Sequence, residues 1–278
     1  MRWIKQAFAF YVFGNIHVGL AAYCLTKITF LQYGIENQAL ANFIFFSTVL
    51  SYNLIRWFQV DRISSIMSLY FRSKSKYLIL LNMIALAGSI YSATDFGLTF
   101  YIPLIPLSLA TILYVFPVKK GVSGLRFVPG LKLFLISFIW AGVTFFLPVF
   151  TEGIWYDESM IVYFVQRLLF VLAITIPFDI RDAEFDSQEL STLPQIIGVG
   201  ASKITAIAAL VIYMVIARWS EAQFPISFWV DALVMSVSIV LISFSGRRRS
   251  RYFTAFWIEG IPVFWYLLCL MAVNKIVF

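Results

Sequence analysis

Charge is scarce in this chain. Only 13% of its 278 residues are Asp, Glu, Lys or Arg, against roughly a quarter in soluble domains. Hydrophobic residues make up 61% and the mean hydropathy is +0.88. The shortage excludes an ordinary soluble domain and makes a membrane class the first reading. Cysteine is also short. The two present, Cys24 and Cys269, lie in apolar stretches where a thiol behaves as a small hydrophobe, so neither a disulfide framework nor a thiolate metal site is indicated. Internal repeats, low-complexity tracts and linkers long enough to separate domains are missing, which leaves residues 1–278 as a single membrane domain.

Aromatic residues are plentiful: 29 Phe, 14 Tyr and 8 Trp fit a lipid-facing surface with interfacial belts. Apolar runs of about 20 residues, the length a span needs, occur near 7–30, 38–58, 77–94, 98–116, 129–150, 160–178, 201–218, 226–245 and 254–274. The expectation is an all-α polytopic membrane protein of about nine transmembrane helices around a central cavity. The basic N-terminal residues Arg2 and Lys5 lead into an apolar run of roughly 25 residues, too long for a signal-peptide core and read as the first span.

The net charge of +7 is better explained by topology than by a nucleic-acid partner. With nine spans, Lys27, Arg218 and Lys275 fall on one side and Arg167 inside a span, while every other Lys and Arg falls on the opposite side. By the positive-inside rule the N-terminus is then cytoplasmic and the C-terminus external, as expected for an integral protein of a bacterial inner or cell membrane. Glu36, Asp95, Glu152, Asp157, Glu158 and Glu221 lie outside, so the acidic knot on the basic side at 179–189 needs an explanation.

In that knot Asp179, Asp182 and Asp186 stand at i, i+3 and i+7, one helical face if the sixth span continues past Pro177. Stacked like charges repel, and a cation is their natural partner. Hard oxygen ligands at a membrane surface suit Mg²⁺, which keeps waters and shares its shell with phosphates; a solvated acidic loop is the plainer alternative. The end of the second span offers Asn53, Arg56 and Asp61. Arg56 can also be read as snorkelling to the interface, and Asn53 as an interhelical hydrogen bond. Between the fourth and fifth spans, Lys119, Lys120, Arg126 and Lys132 form a cationic loop of the kind that neutralises phosphate oxygens, although basic loops on this side are also expected from topology alone.

These residues carry a resemblance to the UbiA superfamily of intramembrane prenyltransferases. The family pattern D-x-x-D-x-x-x-D followed by T-L-P and a glycine is similar to Asp179, Asp182 and Asp186 followed by Thr192-Leu193-Pro194 and Gly198, with Phe185 where a glycine is common. The family's first motif, N-D-x-x-D-x-x-x-D, maps onto Asn53, Leu54, Trp57 and Asp61, so two of its three acids are absent. The Tyr114 to Lys120 segment resembles the family's Y-S-x-P basic loop, with Val115 replacing the serine.

The resemblance implies a Mg²⁺-dependent transfer of a prenyl group from a prenyl diphosphate to an aromatic or other lipophilic acceptor. Asp61, Asp179, Asp182 and Asp186 would face the metal, Asp182 and Asp186 being catalytic. Asn53, Arg56, Lys119, Arg126 and Lys132 would contact substrate. Arg56 stands among positions where the family has acids, which implies fewer Mg²⁺ ions than in a typical member. The alternative is a non-catalytic isoprenoid-binding relative or a small-solute transporter. Gln166, Arg167 and Glu259 are the polar residues in spans that transport would call on; pairing of Arg167 with Glu259 and a packing role for His17 are the structural expectations.

Overall fold

The structure, a computed structural model, describes residues 2–58, 73–115, 130–154, 156–184, 191–220 and 228–276. Asp61, Lys119, Arg126 and Asp186 lie outside these residues. Among the described residues every regular element is helical: α1 (Arg2–Phe13), α2 (Ile16–Tyr33), α3 (Gln38–Phe58), α4 (Ser75–Ala93), α5 (Leu98–Val115), α6 (Leu131–Ala141), α7 (Leu147–Thr151), α8 (Met160–Asp182), α9 (Leu193–Ile196), α10 (Gly198–Trp219), α11 (Phe228–Ser243) and α12 (Ile261–Ile276). Two π-helical turns interrupt this series, Gly142–Phe146 between α6 and α7 and Phe253–Ile258 ahead of α12.

Among the described residues, six continuous stretches are long and apolar enough to cross a bilayer: Gln38–Phe58, Ser75–Ala93, Leu131–Thr151, Met160–Asp182, Gly198–Trp219 and Phe253–Val273. The first expected span, 7–30, is not one helix. It breaks into α1 and α2, which meet at 55°. Two further apolar helices, Leu98–Tyr114 and Phe228–Ser243, are shorter.

The break has a local cause. Asn15 adopts a left-handed conformation with φ 63°, which Asn tolerates better than most residues, and it ends the i→i−4 ladder of α1. Beyond it, α2 is apolar on all sides and is accordingly buried on all sides. Leu25 and Ile28 pack with Phe170, Ile176, Leu210 and Trp265 from α8, α10 and α12. Ala22 and Phe30 pack with Leu40, Ile44, Phe100 and Leu147 from α3, α5 and α7. So α2 is the shared wall of two cores. By contrast α4 and α5 expose Leu80, Met83, Ile84, Ile90, Ile102 and Ile105, the surface a lipid-facing helix presents.

Candidate functional site

Among the described residues, Asn53 and Arg56 lie in the last turns of α3 and Asp179 and Asp182 in the last turn of α8. Despite Pro177, α8 runs through to Asp182, so Asp179 and Asp182 share a helical face as the spacing required. Asp179 is 3% exposed and accepts a 2.7 Å ion-paired hydrogen bond from Nζ of Lys132 in the first turn of α6. Asp182 is more open. The guanidinium of its neighbour Arg181 grips it with Nε to Oδ1 at 2.8 Å and Nη2 to Oδ2 at 2.6 Å. Arg181 also donates from Nη1 to Thr254 Oγ1 at 2.6 Å and lies over the Phe178 ring.

The T-L-P segment folds back onto this helix end. Thr192 precedes α9, its backbone N–H donates to Gln195 Oε1 at 2.9 Å, and Gln195 Nε2 donates to the carbonyl of Ala183, the residue that follows α8. Arg247 approaches Glu184 to 3.8 Å, an exposed pair of little energetic consequence.

On α3, Asn53 and Arg56 face the broken first helix. Arg56 Nη1 donates to Phe13 O at 3.1 Å, and Asn53 Nδ2 donates to Gly14 O at 3.2 Å while its Oδ1 accepts from Asn15 Nδ2 at 2.7 Å. Carbonyls left without helical partners by the break are thus satisfied from α3. Asn53 therefore makes the interhelical bond that was its structural expectation, and Arg56 reaches inward rather than only snorkelling. Leu54 and Trp57, which stand where the first motif would carry acids, are 41% and 45% exposed.

The α12 span closes the far side. In its π-helical turn the Glu259 N–H bonds back to Thr254 O. His17 Nε2 lies 3.0 Å from Phe256 O. A carbonyl can only accept, so Nε2 carries the proton and Nδ1 receives the Tyr11 hydroxyl at 2.7 Å. His17 is the hydrogen-bonded packing residue expected, tying α2 to the π turn. Glu259 lies within electrostatic reach of Arg56 and Arg181. The expected Arg167–Glu259 pairing is not formed. Arg167 instead donates to Leu25 O at 2.7 Å and to the hydroxyls of Thr144 and Thr29, and it packs over Trp265, whose Nε1 donates to Asp231 Oδ1 at 3.0 Å. The reason is depth: Arg167 lies two turns into α8 from its start, whereas Glu259 is level with the opposite end.

Beside the charged cluster, a cleft of about 350 Å³ is lined by Phe43, Ser47, Ser51, Leu104, Ser108 and Thr111, among others. Tyr52 and Trp140 also line it, with the indole N–H donating to the Tyr52 hydroxyl at 2.8 Å. Along α3 it runs from Phe43 to Ile55, about 18 Å at the helical rise, and Tyr52 is within electrostatic reach of Glu259 and Arg56.

Two carboxylates on one helix face offer hard oxygens of the type Mg²⁺ prefers, in the number it uses when phosphates complete its shell. Asp179 and Asp182 therefore fit a Mg²⁺ shared with a phosphate ligand. They do not make an all-protein cage, since among the described residues no three His, Cys, Asp or Glu side chains converge.

No family model and no curated protein matches the chain. Among solved structures it is similar to a UbiA homolog from Archaeoglobus fulgidus bound to GPP and Mg²⁺, with 12% sequence identity, a TM-score of 0.62 and coverage of 95% of this chain and 99% of that one. The chain is an integral membrane protein with the UbiA-like fold.

Proposed function

We propose that the chain is a Mg²⁺-dependent intramembrane prenyltransferase, moving a prenyl group from a prenyl diphosphate to an aromatic or other lipophilic acceptor. One observation carries this reading: the Lys132–Asp179 and Arg181–Asp182 pairs set carboxylates for a metal and cations for phosphate side by side at one end of a UbiA-like bundle. The solved neighbour's GPP and Mg²⁺ supply the ligand class by analogy.

In this mechanism the allylic C–O bond breaks with its electron pair leaving on the diphosphate, and the allylic carbon then bonds to the acceptor, which gives up a proton. Asp179, Asp182 and, by its spacing, Asp186 would hold Mg²⁺, with Asp61 as a further ligand. Bound there, Mg²⁺ supplies Lewis-acid stabilisation of the departing oxygen. Lys132, Arg56, Lys119 and Arg126 neutralise phosphate oxygens in a site shielded from water, where fixed charges count for more than in bulk solvent. The cleft beyond Tyr52 gives an apolar chain room to lie along α3, and Asn53 fixes the wall beside it. This end of the bundle would face the cytoplasm, following the basic residues.

The alternative is a relative that binds an isoprenoid diphosphate without cleaving it, and the apolar, partly exposed Leu54 and Trp57 favour it. The experiment is to mix membranes containing the protein with Mg²⁺ and prenyl diphosphates of several lengths, with and without hydroxyaromatic acceptors. Release of diphosphate with a prenylated product supports transfer. Retention of intact prenyl diphosphate under every condition supports binding alone.

A further inference from the structure

Tyr52 and Trp140 join α3 to α6 by a hydrogen bond in the wall of the cleft, and chemistry fixes its direction. An indole nitrogen can only donate, so the 2.8 Å contact runs from Trp140 Nε1 to the Tyr52 oxygen, with the two rings edge to face at 84°. The phenol's own proton is not spent on Trp140, and among the described residues no acceptor takes it. Both side chains line the cleft. The smaller hydroxyls there differ in use. Ser47 and Thr111 donate to carbonyls of their own helices, Ile44 O at 3.3 Å and Leu107 O at 2.9 Å, whereas Ser51 and Ser108 make no hydrogen bond among the described residues.

Position on α3 decides what Tyr52 can meet. Tyr52 and Arg56 are four residues apart, so they share a face and stand one turn, about 5.4 Å, from each other along the axis. Arg56 is nearer the charged helix end, and Tyr52 is one turn deeper in the span. With diphosphate oxygens at the level of Arg56, the allylic carbon bonded to them comes level with Tyr52, and the acceptor must arrive beside that carbon. A prenyl chain is hydrocarbon and offers the phenol nothing to bond. Lying there alone it would leave a donor unpaired inside a span, a costly arrangement. An oxygen atom on the acceptor removes that cost.

Resting on the prenyl-diphosphate reading, we propose that Tyr52 is a specificity-determining residue for the acceptor. Its hydroxyl donates to an oxygen substituent, a ring hydroxyl or carbonyl, of a lipophilic aromatic molecule. Trp140 is the positioning residue that holds the phenol oxygen and turns its proton toward the cleft. The bond fixes which edge of the ring faces the allylic carbon, and it selects against rings without oxygen, since these leave the donor unpaired.

The test is binding of naphthol, methoxynaphthalene and methylnaphthalene to the purified full chain by titration calorimetry, alongside melting temperature. The first two carry an oxygen that can accept, and the third does not. Tyr52→Phe keeps the ring and removes the donor. It is expected to weaken naphthol and methoxynaphthalene on the order of tenfold each, the worth of one hydrogen bond, and to leave methylnaphthalene unchanged. Trp140→Phe is expected to weaken the same two by a smaller factor. Equal effects on all three ligands, or no effect on any, overturn the assignment, as does wild-type protein that binds none of them. Weakening of naphthol alone shows that Tyr52 accepts rather than donates, which also overturns it. Binding of prenyl diphosphate in EDTA is expected to be the same in wild type and Tyr52→Phe, and a loss there assigns the proton to diphosphate instead. Should Tyr52→Phe not fold, Trp140→Phe decides by the same comparison. An oxygen preference lost in Tyr52→Phe, in a chain that releases no diphosphate from any prenyl diphosphate, upholds the Tyr52 site and overturns the transferase reading.

Discussion

Asn53 uses both ends of its amide on the broken first helix, donating to Gly14 O at 3.2 Å and accepting from Asn15 at 2.7 Å. The residue that aligns with the start of a metal-binding motif therefore also fixes the geometry of the break, and Arg56 one turn later does the same through Phe13 O. Asn53→Ala leaves the Gly14 carbonyl and the Asn15 amide with lost partners in a buried site, a loss of about 1–3 kcal/mol. The expected result is a lower melting temperature together with impaired turnover, since Arg56 is anchored at the same break. A variant with wild-type melting would show that the break is held by other contacts.

Lys132 and Asp179 form a buried ion pair that Mg²⁺ would have to open or share. Removing the cation in Lys132→Met takes from Asp179 its 2.7 Å ion-pair partner, a loss of about 3 kcal/mol for a buried pair when no replacement arrives. Mg²⁺ is the replacement. In thermal melts, Lys132→Met is expected to be less stable than wild type in EDTA and to gain more from added Mg²⁺. Equal Mg²⁺ shifts in the two proteins would remove Asp179 from the metal site.

Arg167 and Asp231 form a second charge centre, distant from the first, in which Arg167 contacts α2, the first π turn and Trp265, and Asp231 receives the Tyr213 hydroxyl at 3.0 Å and the Trp265 indole. Its hydrogen bonds join six elements, α2, the first π turn, α8, α10, α11 and α12, so its role is to clamp them. Arg167→Met is expected to lower stability by about 3 kcal/mol or more, the cost of stranding a buried partner, and the double variant with Asp231→Asn to recover part of it. Per folded molecule, diphosphate release should be unchanged. A fall in specific activity without a fall in melting temperature would contradict the structural role.

Gly260 sits where the π turn meets α2. A Cβ there would lie 2.6 Å from Phe256 O and 3.3 Å from His17 Nε2. The first clash is with backbone, so Gly260→Ala is expected to disturb the His17–Phe256 bond and the π turn, seen as a reduced melting temperature. A wild-type melting temperature would show that the turn has room to move.

Much of the architecture was legible in advance because bilayer thickness imposes a length that apolar runs reveal directly. The Asp179–Asp182 face was legible for a similar reason, since helical spacing is a local property and α8 kept it despite Pro177. The Lys132 contribution followed from the sign of its charge, but its pairing with Asp179 did not, because that contact joins residues 47 apart in sequence. Glu259 was read as a polar span residue that transport would call on and as a partner for Arg167, a pairing the structure does not form; it follows a π turn, and a five-residue hydrogen bond leaves no periodic trace in the sequence. Asn15 carried a readable signal in the Gly14-Asn15 pair, which punctuates helices. Arg181 was counted as a topological charge, although its place inside the aspartate trio is what lets it grip Asp182.

The most direct measurement is diphosphate release from prenyl diphosphates by the purified chain, with Mg²⁺ and with EDTA, for wild type and Asp182→Ala. The account predicts Mg²⁺-dependent release by wild type that falls at least a hundredfold in the variant, which corresponds to about 2.7 kcal/mol of lost transition-state stabilisation. Release that is independent of Mg²⁺, or equal in the two proteins, would contradict it.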